Sequence, residues 1–171
     1  MPSRNTFDIL PIFNFVQKHL LSSEISVDPF ARDKRWATYT NDLNPKTKAE
    51  YHLDVLDFLK ILIAKKIQAD LILFDPPYSL RQIKECYEGI GRKYTSNDGW
   101  KPNRWKEEKD LIDRILLPGS IVLSFGWSSN GMGKKRHYEI LEILLVCHGA
   151  GHNDTICLAE KKIKSKQIEL F

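Results

Sequence analysis

Cysteine is scarce and scattered in this sequence: Cys86, Cys147 and Cys157 are odd in number and widely spaced. That pattern excludes a disulfide framework, and no apolar leader precedes the first of them, so a reducing, cytoplasmic setting is expected rather than secretion. Long hydrophobic runs are missing too. None approaches the roughly 18 to 20 residues that span a bilayer, so a soluble protein with no membrane partner is expected. There is no internal repeat and no low-complexity tract. A metal site is not expected either: His148 and His152 lie four apart in "HGAGHND", two glycine-separated imidazoles in an expected hairpin. Neither sign of charge dominates. The 26 Lys and Arg against 22 Asp and Glu leave a formal charge of +4, mildly favouring a polyanionic partner without identifying one.

What is present suits a single core. With 171 residues, 42% of them hydrophobic and 11% aromatic, the chain is expected to form one domain over residues 1–171. Short apolar runs alternate with longer amphipathic stretches, the pattern of strands separated by crossover helices, so the fold class is α/β. Residues 7–21 carry apolar positions at helical spacing. "EISVDPF" then reads as a strand ending at Asp28, "ATYTND" as a second ending at Asp42, and Tyr51 to Asp54 as a short third followed by a helix through Lys66. "ADLILFD" is the fourth strand. Residues 79–105 are polar and aperiodic, read as a long loop with at most a helical turn near Ile83 to Tyr87. A helix in "EEKDLIDRILL" leads to a fifth strand, "GSIVLSFGW". "KKRHYEILEILLVCHG" reads as a helix running into a sixth strand, and "DTICLAEKK" as a seventh, joined to the sixth by the short hairpin "GAGHN". Residues 163–171 are a tail.

Four strands thus end on an acid: Asp28, Asp42, Asp54 and Asp75. Ligands of open α/β sheets bind outside the carboxyl ends of the strands. An acid after the second strand can accept from ribose hydroxyls and one after the third from an exocyclic amine, which together describe an adenosine pocket. The alternative is that each acid caps the turn or helix that follows it. The fourth ending, Asp75-Pro76-Pro77-Tyr78, presents a carboxylate and a prolyl carbonyl side by side with no amide hydrogen on either proline. Two acceptors facing one point suit the two hydrogens of a planar exocyclic amine, and the tyrosine ring can stack on the base carrying it.

These motifs resemble the S-adenosylmethionine-dependent amino-methyltransferases that modify adenine N6 or cytosine N4 in nucleic acid. "DPPY" at 75–78 matches their catalytic motif in full, "NDLNP" at 41–45 and "YHLDVLDFL" at 51–59 resemble their acidic motifs, "VDPF" at 27–30 the start of their cofactor motif, and "NTFDILPI" at 5–12 their N-terminal segment. The resemblance covers residues 5 to about 160. It implies a Rossmann-like class I methyltransferase fold, a seven-stranded, mostly parallel sheet with a C-terminal antiparallel hairpin. It also implies S-adenosylmethionine as cofactor, held by Asp28, Pro29, Phe30, Asp42 and Asp54, and methyl transfer to an amine held by Asp75, Pro76, Pro77 and Tyr78 without a metal. The leading expectation is adenine N6 in DNA. Cytosine N4, an RNA substrate and a catalytically idle binding subunit are the alternatives.

The chain departs from the family after Asp-Pro-Phe. A glycine-rich turn usually follows there, letting backbone amides approach the methionine carboxylate. Here "ARDKRWA" stands instead, with Arg32, Lys34 and Arg35 as the cations able to supply that contact. Trp100 and Arg104, with Trp105, Lys101 and Lys106 beside them, suit nucleic-acid stacking and backbone contact, or an aromatic folded onto the core. Lys134, Lys135 and Arg136 follow the fifth strand and can hold phosphates near the same rim, or form a solvated helix start. No separate target-recognition domain is visible, so residues 79–105 are expected to be a mobile substrate loop supplying what specificity the chain has, with anything stricter brought by a second copy of the chain or a partner subunit.

Overall fold

The computed structural model describes residues 5–93, 105–149 and 151–163. A 3-10 turn at Thr6–Asp8 precedes α1 (Leu10–Leu20). β1 (Ser26–Asp28), β2 (Tyr39–Thr40), α2 (Val55–Ala64), β3 (Ala69–Phe74), α3 (Leu80–Gly89), α4 (Lys106–Ile115), β4 (Leu116–Gly126), β5 (Tyr138–Val146) and β6 (Thr155–Lys162) follow. The strands form one sheet in the order β2-β1-β3-β4-β6-β5. β2, β1, β3 and β4 pair in parallel, while β6 is antiparallel to both of its neighbours.

The sheet is therefore mixed and, among the described residues, six-stranded rather than seven-stranded. The expected third strand at Tyr51 to Asp54 amounts to one parallel bridge between Asn41 and Tyr51. Its backbone is held instead by a side chain: Asn41 donates to the carbonyls of Pro29 and Leu53, 3.1 Å each, and accepts from the Leu53 amide at 3.0 Å. A buried amide thus does here what a strand ladder does elsewhere.

Side chains of β3 alternate between two cores, as the two-residue strand period requires. Ile72 and Phe74 pack with Phe58, Leu59 and Leu62 of α2 and Ile112 and Ile115 of α4. Leu71 and Leu73 pack on the other face with Ile12, Phe15 and Val16 of α1. Pro11 lies in the first turn of α1, where its missing amide hydrogen costs nothing.

Two readings of the sequence are corrected. Residues 80–89, expected within a loop, form α3, opened by a capping box in which the Ser79 hydroxyl accepts from the Gln82 amide and the Gln82 side chain accepts from the Ser79 amide. The helix expected at the start of "KKRHYEILEILLVCHG" is only a 3-10 turn at Lys134–Arg136, and β5 begins at once with Tyr138. Ile140, Leu141, Ile143 and Leu145 are about half exposed on this edge strand. An apolar run without a polar face fits either period, and pairing with β6 from Tyr138–Lys162 to Val146–Thr155 decides it.

Buried charge pins the lower sheet. Lys162 pairs with Asp113 at 2.9 Å and donates to the carbonyls of Asp113 and Leu116. Glu160 accepts from the amides of Met132 and Gly133, at 2.6 and 3.1 Å. Among the described residues, no helix is long and apolar enough to cross a membrane.

Candidate active site

The turn that leaves β1 is knitted by its own amides. Asp28 accepts from the Phe30 amide at 3.0 Å, the Ala31 amide donates to the Asn41 carbonyl at 2.8 Å, and the Arg32 amide donates to Asp42 at 3.1 Å. Asp42 takes a second amide, that of Asn44, on its other oxygen at 2.8 Å. Arg32 has φ +51, in the left-handed region where a side chain is unfavourable. Asp54 caps α2 by accepting from the Leu56 amide at 3.0 Å, and its second oxygen accepts from the Tyr87 hydroxyl at 3.3 Å. For Asp42 and Asp54, fixing the turn and lining a cleft go together: one carboxylate can do the first and still face a cavity.

Two clefts open at the carboxyl ends of β1 and β3. The first, about 880 Å³, is lined by Pro29, Phe30, Arg32, Asp42, Leu53, Asp54, Tyr87 and Trp105 among others. The second, about 510 Å³, is lined by Thr6, Asp75, Pro76, Tyr78, Gln82, Trp127, His148, His152 and Asn153 among others. Phe30, Arg32, Asp42, Pro77, Glu85 and Cys86 line both, so the clefts join there.

In the second cleft the Tyr78 hydroxyl donates to Asp75, and Thr6 lines the wall with them. The Gln82 side chain accepts from the Tyr78 amide at 2.6 Å, fixing the turn after Pro77. The Tyr78 ring meets Trp127 edge-on, centroids 5.7 Å apart. Burial pushes the Asp75 carboxyl above its ordinary value, against the lowering effect of the Tyr78 hydroxyl, the Thr6 side chain and the Arg32 charge. Burial likewise raises Asp42, opposed by its two amide donors and Arg32. Asp28 stands well above the ordinary carboxylate value, first because it is buried and then because Asp75 and Asp42 repel a third charge.

The structure thus brings Pro29, Phe30, Asp42, Asp54 and all four residues of 75–78 to the two clefts. Asp28 lies beneath them, 1% exposed and lining neither. Trp105 takes the core position, packing edge-on against Phe30 and Phe74 at 5.6 and 6.2 Å. Trp100 and Arg104 lie outside the described residues. Lys134, Lys135 and Arg136 line neither cleft, although the partner of Arg136, Asp110, lines the first. They precede Tyr138, which pairs with Lys162 at the opposite end of the sheet from Gly126, and Arg136 is held by Asp110 at 2.8 Å. The physical reason is the direct descent of residues 127–133 along the sheet, held by Glu160 and by Lys109, which donates to the carbonyls of Asn130 and Gly131 at 2.7 Å each.

Trp127, His148, His152 and Asn153 are cleft residues that the sequence did not single out as such. The signal was faint: each follows an apolar strand or sits in the hairpin between two of them. His148 is held by Thr155, 2.8 Å from Nε2 to the hydroxyl. Among the described residues, no group of His, Cys, Asp and Glu is arranged to hold a metal ion.

The sequence matches no protein-family model and no curated protein. Solved structures are similar in fold. The N-methyltransferase NodS from Bradyrhizobium japonicum WM9, in complex with S-adenosyl-L-homocysteine, is 10% identical with TM-score 0.59, over 94% of this chain and 90% of that one. TrmN from Thermus thermophilus is 14% identical, TM-score 0.55, over 89% and 48%. NSun6 from Pyrococcus horikoshii, solved with SFG, is 14% identical, TM-score 0.54, over 89% and 52%. The chain spans about half the length of the last two. With its mixed six-stranded sheet and flanking helices, the chain has the α/β fold of methyltransferases.

Proposed function

We propose that the chain is a single S-adenosylmethionine-dependent methyltransferase domain acting on the N6 amine of adenine in DNA. The observation that carries this reading is the junction of two clefts at the strand ends, one walled by Asp42, Asp54 and apolar side chains, the other holding Asp75, Pro76, Tyr78 and Trp127. The residues fit the cofactor. Asp42 and Asp54 keep acceptor capacity for ribose and adenine after their own amide and hydroxyl donors are counted, and Phe30 and Leu53 supply apolar walls for the ring. When bound, S-adenosylmethionine supplies a methyl group on a positively charged sulfur as the electrophile.

The chain's own part is to hold the amine. A carboxylate has about four lone-pair sites, so Asp75 can accept from an exocyclic amine while Tyr78 remains bonded to it. With the Pro76 carbonyl beside it, this draws the nitrogen lone pair out of conjugation with the ring. The raised affinity of Asp75 for protons also suits it to take the proton the amine gives up. Tyr78 and Trp127 offer aromatic surface to the base, which must leave its duplex or arrive single-stranded. Cytosine N4 and RNA are the alternatives within the same chemistry.

Incubation with labelled S-adenosylmethionine and either DNA or RNA, followed by nucleoside analysis, tests the reading. N6-methyladenine in DNA is the expected product; label in no nucleoside would sink the proposal and favour an idle binding subunit.

A further inference from the structure

Resting on that reading, we infer that the guanidinium of Arg32 is the subsite for the α-carboxylate of the cofactor's amino-acid arm. The sulfur of S-adenosylmethionine carries three branches. With the adenosyl branch in the first cleft and the methyl directed into the second, the amino-acid arm starts where the clefts meet. Of the six residues lining both clefts, Arg32 is the one cation, beside the acids Asp42 and Glu85. Asp33, Asp54, Asp75, Glu107, Glu108 and Asp110 add further negative charge to the walls, against Arg92 and Lys106, which line the first cleft away from the junction. A carboxylate entering such a cleft needs a positive group at its landing point.

The backbone does not provide one. In a glycine turn, successive amides would face the anion, but here the amides of Phe30, Ala31 and Arg32 are committed to Asp28, Asn41 and Asp42. Position 32 nonetheless keeps a long side chain at φ +51, where glycine would be the least strained residue. Unfavourable backbone geometry retained in a cavity wall points to the side chain as the reason for it. The other cations of the segment lie elsewhere: neither Lys34, which pairs with Asp8 at 2.5 Å, nor Arg35 lines either cleft. The Arg32 charge is felt at both Asp42 and Asp75, which places it electrostatically at the junction.

Calorimetry with two ligands tests this. S-adenosylhomocysteine carries the amino-acid arm; 5′-methylthioadenosine lacks it. Arg32→Ala and Arg32→Gly are expected to weaken S-adenosylhomocysteine by about 10- to 100-fold, the loss of a charge-assisted contact, and to leave 5′-methylthioadenosine unchanged. Arg32→Lys should fall between, because a point charge replaces a bidentate fork. Arg32→Gly is the sharp variant, since it relaxes the backbone while deleting the charge. If it bound S-adenosylhomocysteine as well as the wild type, backbone amides would be the anion site and the inference would fail. Equal weakening of both ligands would assign Arg32 a merely structural part and overturn it too. Wild-type protein binding neither ligand would overturn the methyltransferase reading itself, and this assignment with it.

Discussion

At the scale of single residues, the acids at the strand ends occupy different places. Asp75 faces the second cleft and Asp42 the junction with the first. Asp75→Ala is expected to abolish methyl transfer while S-adenosylhomocysteine binding, followed by calorimetry, stays nearly unchanged; Asp42→Ala should weaken that binding first. Equal loss of binding in both variants would show that the acids are not so divided. Asp28 has a different consequence, because its buried carboxyl holds its proton more tightly when folded than when unfolded. Between the ordinary carboxylate value, about 3.9, and the raised folded value, the native state binds the extra proton, so this residue's contribution is full at acid pH and lost as pH rises. Asp28→Asn keeps an acceptor for the Phe30 amide and removes the titration. The variant should show a flatter decline of urea midpoint with rising pH and be more stable than the wild type at pH 7. A steeper decline would mean that the Asp28 charge is compensated in the fold. These acids were legible in the sequence because each closes an apolar run. The hairpin histidines were not, because nothing local ties a loop residue to a cleft built by a strand far away in the chain.

At the scale of elements, legibility followed periodicity. α1, α2, α4, β3 and β6 stand close to where apolar spacing put them. α3 was read as no more than a turn near Ile83 to Tyr87 because only Ile83 of its ten residues is buried, leaving the Ser79 and Gln82 capping box as its main sequence signal. The edge strand β5 was mistaken at its start because its solvent face is as apolar as its inner one. The segment 127–133 was unreadable for a third reason: its path depends on Glu160, a buried carboxylate on the neighbouring strand. Gly131 lies so close to that carboxylate that a methyl group there would collide with it. Gly131→Ala is therefore expected to displace Glu160 or the segment and cost about 1 to 3 kcal/mol, the usual range for forced overpacking. Because the same segment begins at Trp127, transfer activity should fall with it. Urea denaturation checks the first part, and an unchanged midpoint would mean that the carboxylate can move aside freely.

At the scale of the whole molecule, charge is unevenly used. The formal balance is +4, yet acids outnumber Lys and Arg in the walls of both clefts. A nucleic acid is therefore expected to be gripped by Lys and Arg around the clefts, with only the target base entering between Asp75, Tyr78 and Trp127. Phosphate contacts of this kind draw their free energy from counterion release, so affinity should fall linearly on a log–log plot against salt, by a slope near 0.9 per phosphate neutralised on duplex DNA. They read no sequence. Discrimination needs side chains that reach base edges, at about 1 to 3 kcal/mol for each good pair, and the described residues around the second cleft offer few: Gln82, His148, His152 and Asn153. The 171-residue chain is thus expected to bind duplexes of unrelated sequence with nearly parallel salt dependences and to methylate with loose or very short sequence preference. Fluorescence anisotropy between about 50 and 200 mM salt measures the first, the range over which several phosphate contacts change affinity by orders of magnitude. Sequencing of methylated bases after treatment with the purified chain measures the second. Salt-independent binding, or complete methylation confined to one long motif, would show that base edges and not phosphates carry the recognition.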